Sequence, residues 1–183
     1  MISFRQRFPV PISNYFTGDE YLILRGDEVA ADDARVAEVV AIANEPLVYG
    51  WLFQERCRGE PYAPCLAVDW LEWMRDGWVK NSHFGFVITD PQGRIAAACD
   101  IKSAEPEGAE VGYWASAGHR GIMTDVVAAI IRCAWEAGYR SLTARVRHGN
   151  LRSGAVLERA GFRKNPALKD DEHEHYFIER PLG

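Results

Sequence analysis

The chain has 183 residues, 48% of them hydrophobic, and a formal net charge of −5. That length suits one domain with a sizeable core, spanning 1–183, and the composition excludes extensive disorder. No apolar run approaches the ~18 residues needed to span a bilayer. The opening MISFRQRFPVPISNYF lacks a secretory core, and the acidic balance argues against a nucleic-acid surface, so a cytoplasmic protein without nucleic-acid or membrane partners is expected.

The elements follow from hydrophobic period, taken along the chain. YLILRG (21–26) reads as a first strand. ADDARVAEVVAIANEP (31–46) carries Val36, Val39, Val40 and Ala43 at helical spacing, with Asp32 and Asp33 at the positive end and Pro46 at the stop. Pro64 opens a second helix, marked by Leu66, Trp70, Trp73 and Met74. The period then changes to two. FGFVITD (84–90), RIAAACDIKS (94–103) and AEVGYWAS (109–116) read as three antiparallel strands, joined by the turns DPQG and AEPEG. GIMTDVVAAIIRCAWEAG (121–138) is helical, with Gly138 as its cap. SLTARVRH (141–148) is a strand, NLRSGAVLERAGF (150–162) a helix that Asn150 caps, and HEHYFIERP (173–181) a last strand. The 121–138 crossover implies one parallel pairing within an otherwise antiparallel sheet. The class is therefore α+β, and ligand is expected where the helix N-terminus meets the end of a strand.

The four cysteines, Cys57, Cys65, Cys99 and Cys133, are scattered without zinc spacing. They read as free, mostly buried thiols, with Cys57 the most exposed. DDEHEH (170–175) places His173 and His175 on one side of a strand, and an exposed acidic turn is preferred there to a metal site. SAGHRGIMTD (116–125) has one glycine, Gly121, before a helix. No P-loop lysine follows it, which disfavours a nucleotide-binding loop.

EVGYW followed by a Gly-led helix, and then N-x-x-S-x-x-V-L-E-x-x-G-F on Asn150, Ser153, Val156, Leu157, Glu158, Gly161 and Phe162, resembles the GNAT acyltransferase superfamily, in particular its RimJ/RimL-like branch. The resemblance implies a GNAT fold with helices on both faces of the sheet. It also implies acetyl-CoA as cosubstrate and direct transfer of the acetyl group to an amine, either a protein N-terminus or a small amine. The backbone of Tyr113, Trp114 and Ala115 would meet the pantetheine arm. The pyrophosphate would sit on the turn and helix start formed by Gly121, Ile122, Met123 and Thr124. There the family pattern Gln/Arg-x-x-Gly-x-Gly/Ala is met only at Gly121. Gly118 and Met123 depart from it, and the loop from Trp114 is short, so His119 and Arg120 are expected to supply side-chain contacts instead.

Amine acetylation needs a base for the nitrogen and a proton for the leaving thiolate. Glu110 is the first candidate base and His148, at the end of the parallel strand, the alternative. Ser153 is the candidate partner of the thiolate, and Asn150 combines helix capping with cofactor contact. LVYGWLFQERCRGEPY (47–62) supplies Tyr49, Trp51, Phe53 and Glu55 for an amine pocket. If this segment is extended, the three aromatics share one face. The sequence leaves two further options open: a CoA-binding GNAT domain with little turnover that serves as sensor or scaffold, and assembly as a homodimer.

Overall fold

The computed structural model describes residues 2–181. In chain order the elements are β1 (Val10–Ser13), β2 (Glu20–Arg25), α1 (Asp33–Ala43), α2 (Pro46–Val48), which runs into a π-turn over Tyr49–Phe53, and α3 (Pro64–Lys80). Then come β3 (Phe84–Thr89), β4 (Ile95–Ile101), β5 (Ala109–Ala115), α4 (Met123–Ala137), β6 (Ser141–Arg147), α5 (Leu151–Arg159), β7 (Arg163–Lys169) and β8 (His173–Glu179). The strands form one eight-stranded sheet in the order β1-β2-β3-β4-β5-β6-β8-β7. Every pairing is antiparallel except β5 with β6, the step that the 121–138 crossover requires.

Local chemistry accounts for the boundaries. The Asp32 carboxylate accepts the Arg35 N–H and starts α1. Pro64 occupies the first turn of α3, where its missing N–H costs nothing. Asp90, buried in the β3–β4 turn, accepts the N–H groups of Gln92 and Arg94 as well as the Arg94 guanidinium. Gly138 ends α4 at φ +110°, a conformation that a side chain would strain.

Two cores flank the sheet. Phe84, Phe86 and Ile88 meet Val126, Ile130 and Leu157 of α4 and α5 on one face. Val87 and Ile95 meet Val39 of α1 and Leu71 and Met74 of α3 on the other. Val126, Val127 and Ile130 of α4 are fully buried, and each such side chain stabilises by about 1.5–3 kcal/mol. A missing N-cap costs only ~1 kcal/mol. Packing therefore holds α4 in place although no side chain caps its N-terminus.

Three expectations are corrected. β1 and β7 add edge strands that the hydrophobic period did not reveal. β1 is four residues long and contains Pro11, and β7 has the polar sequence RKNPALK; edges tolerate both features. The 47–53 segment is helical rather than extended, so Tyr49, Trp51 and Phe53 do not line up on one face. Finally, Cys65 in the first turn of α3 is the exposed cysteine, while Cys57 is half-buried.

Candidate active site

β5 and β6 pair only at Ala109 with Leu142 and at Glu110 with Thr143. Beyond Glu110 the strands diverge, while β5 stays paired to β4 as far as Ala115. The edge of β5 from Val111 to Ala115 therefore has no strand partner on its β6 side. Its backbone donors and acceptors open into a cleft of about 780 Å³. The cleft passes through the sheet. On the α1/α3 face it is bounded by Leu47, Trp51, Lys102, Glu110, Trp114, Arg145 and Arg147. On the α4/α5 face it is bounded by Tyr113, Met123, Thr124, Ser153 and Val156.

At the α4 end the strand runs into a single 3-10 turn over Ala117–His119. Ser116 Oγ accepts the Gly118 N–H, and Glu45 at the start of α2 accepts both the Ser116 hydroxyl and the Ala117 N–H at 2.6 Å. The N–H groups of residues 117 and 118 are thus satisfied from within the protein. The first N–H groups of α4, by contrast, have no side-chain cap and present the positive end of the helix to the cleft. Gly121 adopts φ +98°, and a Cβ there would lie 2.4 Å from the Phe16 ring. The backbone at 121 is held in this place by the β1–β2 turn, where Asn14 donates to the Arg120 carbonyl and accepts the Phe16 N–H.

Each expected residue has a definite place. Tyr113, Trp114, Ala115, His119, Arg120, Gly121, Met123, Thr124, Asn150 and Ser153 all line the cleft. Ile122 does not, because its side chain is fully buried; only its backbone faces the turn. His119 is engaged with the Tyr21 hydroxyl at 2.8 Å, which leaves Arg120 as the free cation of the turn among the described residues. Asn150 accepts the Ser153 N–H as the cap of α5. The Tyr113 side chain crosses to the same spot, with its hydroxyl 2.8 Å from Ser153 Oγ and 2.9 Å from the Ser153 carbonyl. Burial raises the Tyr113 pKa against the pull of the Ser153 bond, so this phenol stays protonated at neutral pH.

Glu110 lies in the cleft but is saturated. Lys102 donates to Oε1 and Arg145 to Oε2 at 2.8 Å. Burial opposes its ionisation, yet the two cations outweigh burial and hold the carboxyl below its ordinary range. In this arrangement Glu110 is paired with two cations, and a carboxylate so held is a weak proton acceptor until those pairs are released. The expectation for His148 is corrected. It is exposed, turns to the Asp170 carbonyl in the β7–β8 turn, and does not reach the cleft.

Of the four residues expected to form the amine pocket only Trp51 lines the cleft, together with Leu47, Val48 and Leu52 of the same segment. The Tyr49 hydroxyl donates to the Glu60 carbonyl, Phe53 packs on Tyr62, and Glu55 forms a two-pronged pair with Arg147 at 2.7 Å. The acidic turn at 170–175 centres on Asp170, which accepts from the His173 backbone and lies 2.8 Å from His175 Nε2. Three contributors were not foreseen: Glu45, Phe16 and the Tyr113 side chain.

A mixed sheet that opens at its one parallel pair, with a helix start aimed into the opening, defines an acyltransferase architecture. The chain belongs to the GNAT acetyltransferases: the family model described as acetyltransferase (GNAT) domain matches residues 22–163. No curated protein sequence matches it. Among solved structures it is similar to Mycobacterium smegmatis RimJ in complex with CoA-disulfide, at 20% identity and TM-score 0.72, covering 93% of this chain and 86% of that one. The GNAT domain of S. lividans PAT is 17% identical, TM-score 0.73, over 94% and 97%. Spermidine N-acetyltransferase from Vibrio cholerae, in complex with CoA and spermine, is 13% identical, TM-score 0.65, over 86% and 95%.

Proposed function

We propose that this chain is an acetyl-CoA-dependent N-acetyltransferase of the RimJ/RimL-like kind, acting on a primary amine. The observation that carries this reading is the unpaired β5 edge, which opens into the same cleft as the uncapped start of α4. An extended, amide-containing arm pairs with such an edge, and a pyrophosphate suits the N–H groups and dipole at its end. Val111 to Ala115 would hold the arm, and Gly121 to Thr124 with Arg120 the phosphates. Acetyl-CoA brings to this cleft an acetyl group activated as a thioester. The CoA-bound neighbours support the same choice of cosubstrate.

The chain's own residues divide by face. On the α4/α5 side Ser153 Oγ, hydrogen-bonded to the Tyr113 hydroxyl, would deliver a proton to a departing sulfur. On the α1/α3 side Trp51 and Trp114 wall the entry of the amine. The lining there contains Lys102, Arg145 and Arg147, while Glu110 and Glu55 are each neutralised by those cations. Such a surface recognises an acceptor with a single reacting amine better than a polycation, whose charges need unpaired carboxylates. Thiol release from acetyl-CoA is the test, run over N-terminal peptides, amino acids, monoamines and polyamines. Turnover with a single-amine acceptor supports the proposal. Tight acetyl-CoA binding with no turnover on any acceptor would instead favour the sensor reading.

A further inference from the structure

Exposed leucines gather at the acceptor side of the cleft. Leu47 and Leu52, on α2 and its π-turn, flank Trp51 and are 46% and 44% exposed, and Leu151 at the start of α5 is 82% exposed. All of them line the cleft. A single exposed leucine needs no explanation, but several that converge on one cavity from opposite walls form an apolar rim. The walls meet at Trp51: a Cβ at Gly149, in the turn before α5, would lie 3.9 Å from the end of the Trp51 ring. Trp114 continues the rim on β5 and is backed by Trp70 of α3, with ring centroids 5.4 Å apart.

The charged side chains on the same side are occupied with one another. Glu110 holds Lys102 and Arg145, and Glu55 holds Arg147. His173, which lines the cleft directly across the strand pair from Arg147, has its Nδ1 3.3 Å from the Asp170 carboxylate. Among the described residues, the large side chains left to meet an acceptor there are apolar. The Glu55–Arg147 pair has a second effect. Both of its bonds are 2.7 Å long, and they tie the 47–62 segment to the end of β6. Together with the contact of Trp51 and Gly149, this strap runs across the acceptor side. An extended peptide chain would have to pass it, whereas a compact molecule need not.

We infer that the acceptor is a compact monoamine whose nitrogen is carried on an apolar alkyl or aryl body, rather than a peptide N-terminus or a polyamine. The inference rests on the proposed acetyl transfer. Leu47, Leu52, Leu151, Trp51 and Trp114 cover that body as it leaves water. The same apolar surroundings disfavour an ammonium, so the nitrogen meets the thioester as the free amine, its extra proton left in water. From there the transfer balances: the N–C bond forms, the C–S bond breaks, and one N–H proton ends on the sulfur as the CoA thiol. A polyamine would bring further charges, for which the paired Glu110 and Glu55 offer no free carboxylate.

The test is thiol release from acetyl-CoA with ethylamine, butylamine, hexylamine and phenethylamine, set against spermidine and against peptides whose first residue is Ala, Ser or Leu. Each added CH2 should raise kcat/KM about threefold to fourfold, so hexylamine should exceed ethylamine by about 100-fold. Spermidine and the peptides should fall about tenfold or more below hexylamine. Leu52→Ser changes an exposed side chain that the fold does not need, and should shrink the ratio of hexylamine to ethylamine about tenfold. Glu55→Gln should open the strap and narrow the gap between the peptides and hexylamine. A flat profile along the alkylamines, a ratio unmoved by Leu52→Ser, or a peptide turned over better than every monoamine overturns this acceptor and leaves acetyl transfer standing. Absence of thiol release with every acceptor removes both.

Discussion

Asp100 on β4 lies in a cross-strand row between Gly85 and Gly112, and its Oδ1 is buried without a hydrogen-bond partner, so replacing it by Asn should make the protein more stable, by an amount that depends on pH. The folded-state pKa of about 6 lies above the ordinary 3.8. Between those values the unfolded chain is ionised while the folded one still holds its proton. The cost to the native state is therefore complete above the folded pKa and is relieved as pH falls toward the unfolded one. The rise from 3.8 to about 6 corresponds to a cost of about 3 kcal/mol at pH 8 and about half of that at pH 5. At roughly 2–4 °C per kcal/mol for a chain of this size, the ceiling on the gain in Tm is about 6–12 °C. The Asn amide still needs partners in the same place, so a gain of about 3–6 °C at pH 8 is expected. Calorimetric melting of both proteins at pH 8 and pH 5 checks it. The gap should narrow by about half at the lower pH. A variant that melts at or below the wild-type temperature at pH 8, or a gap that does not change with pH, refutes the claim that Asp100 is held unpaired.

Other changes separate binding from chemistry. Ser153→Ala leaves the Tyr113 hydroxyl its carbonyl acceptor, so Tm should shift by no more than a few degrees while kcat falls at least tenfold; equal losses of kcat and CoA affinity would make Ser153 structural. Gly121→Ala forces a Cβ at φ +98° against the Phe16 ring, so it should destabilise by about 1–3 kcal/mol and weaken acetyl-CoA binding at least tenfold, measured by calorimetry. Glu45→Ala releases Ser116 and the Ala117 N–H, and should weaken acetyl-CoA about tenfold with little effect on the KM of the acceptor. An unchanged affinity there would show that the 116–121 segment keeps its shape without α2.

The frame of the fold was legible because each central element has a clear period and a chemical stop. β3 to β5, α4 and α5 fall close to where alternation, Asp90, Gly138 and Asn150 put them. The edge strands were not legible, because a four-residue strand and one with a central proline carry no alternation to read. The site was legible on the cofactor side, where backbone geometry follows from the element order. On the acceptor side it was not. Whether Glu110 is a free base or a saturated one depends on Lys102, eight residues ahead, and Arg145, thirty-five behind, meeting it across three strands. Glu55 was absorbed by Arg147 in the same way, over 92 residues of sequence. Asp100 could be noticed as a lone acid in an apolar strand. Its lack of side-chain partners on either flank is decided by Gly85 and Gly112, which only the strand register brings to its sides.

The stretch SAGHRGIMTD now has a physical reading. Its upstream half is tied to Ser116 and Glu45, and its downstream half is the uncapped helix start, so any phosphate contact must come from Gly121 onward and from Arg120. Melting of the wild-type protein with and without acetyl-CoA tests this most directly. At a ligand concentration about 100 times Kd, binding to the native state adds about 2.7 kcal/mol, and Tm should rise by about 5–10 °C. The same rise with CoA, and a smaller one with pantetheine lacking the nucleotide, is the expected pattern. No rise with millimolar acetyl-CoA would contradict the proposed cleft and the function built on it.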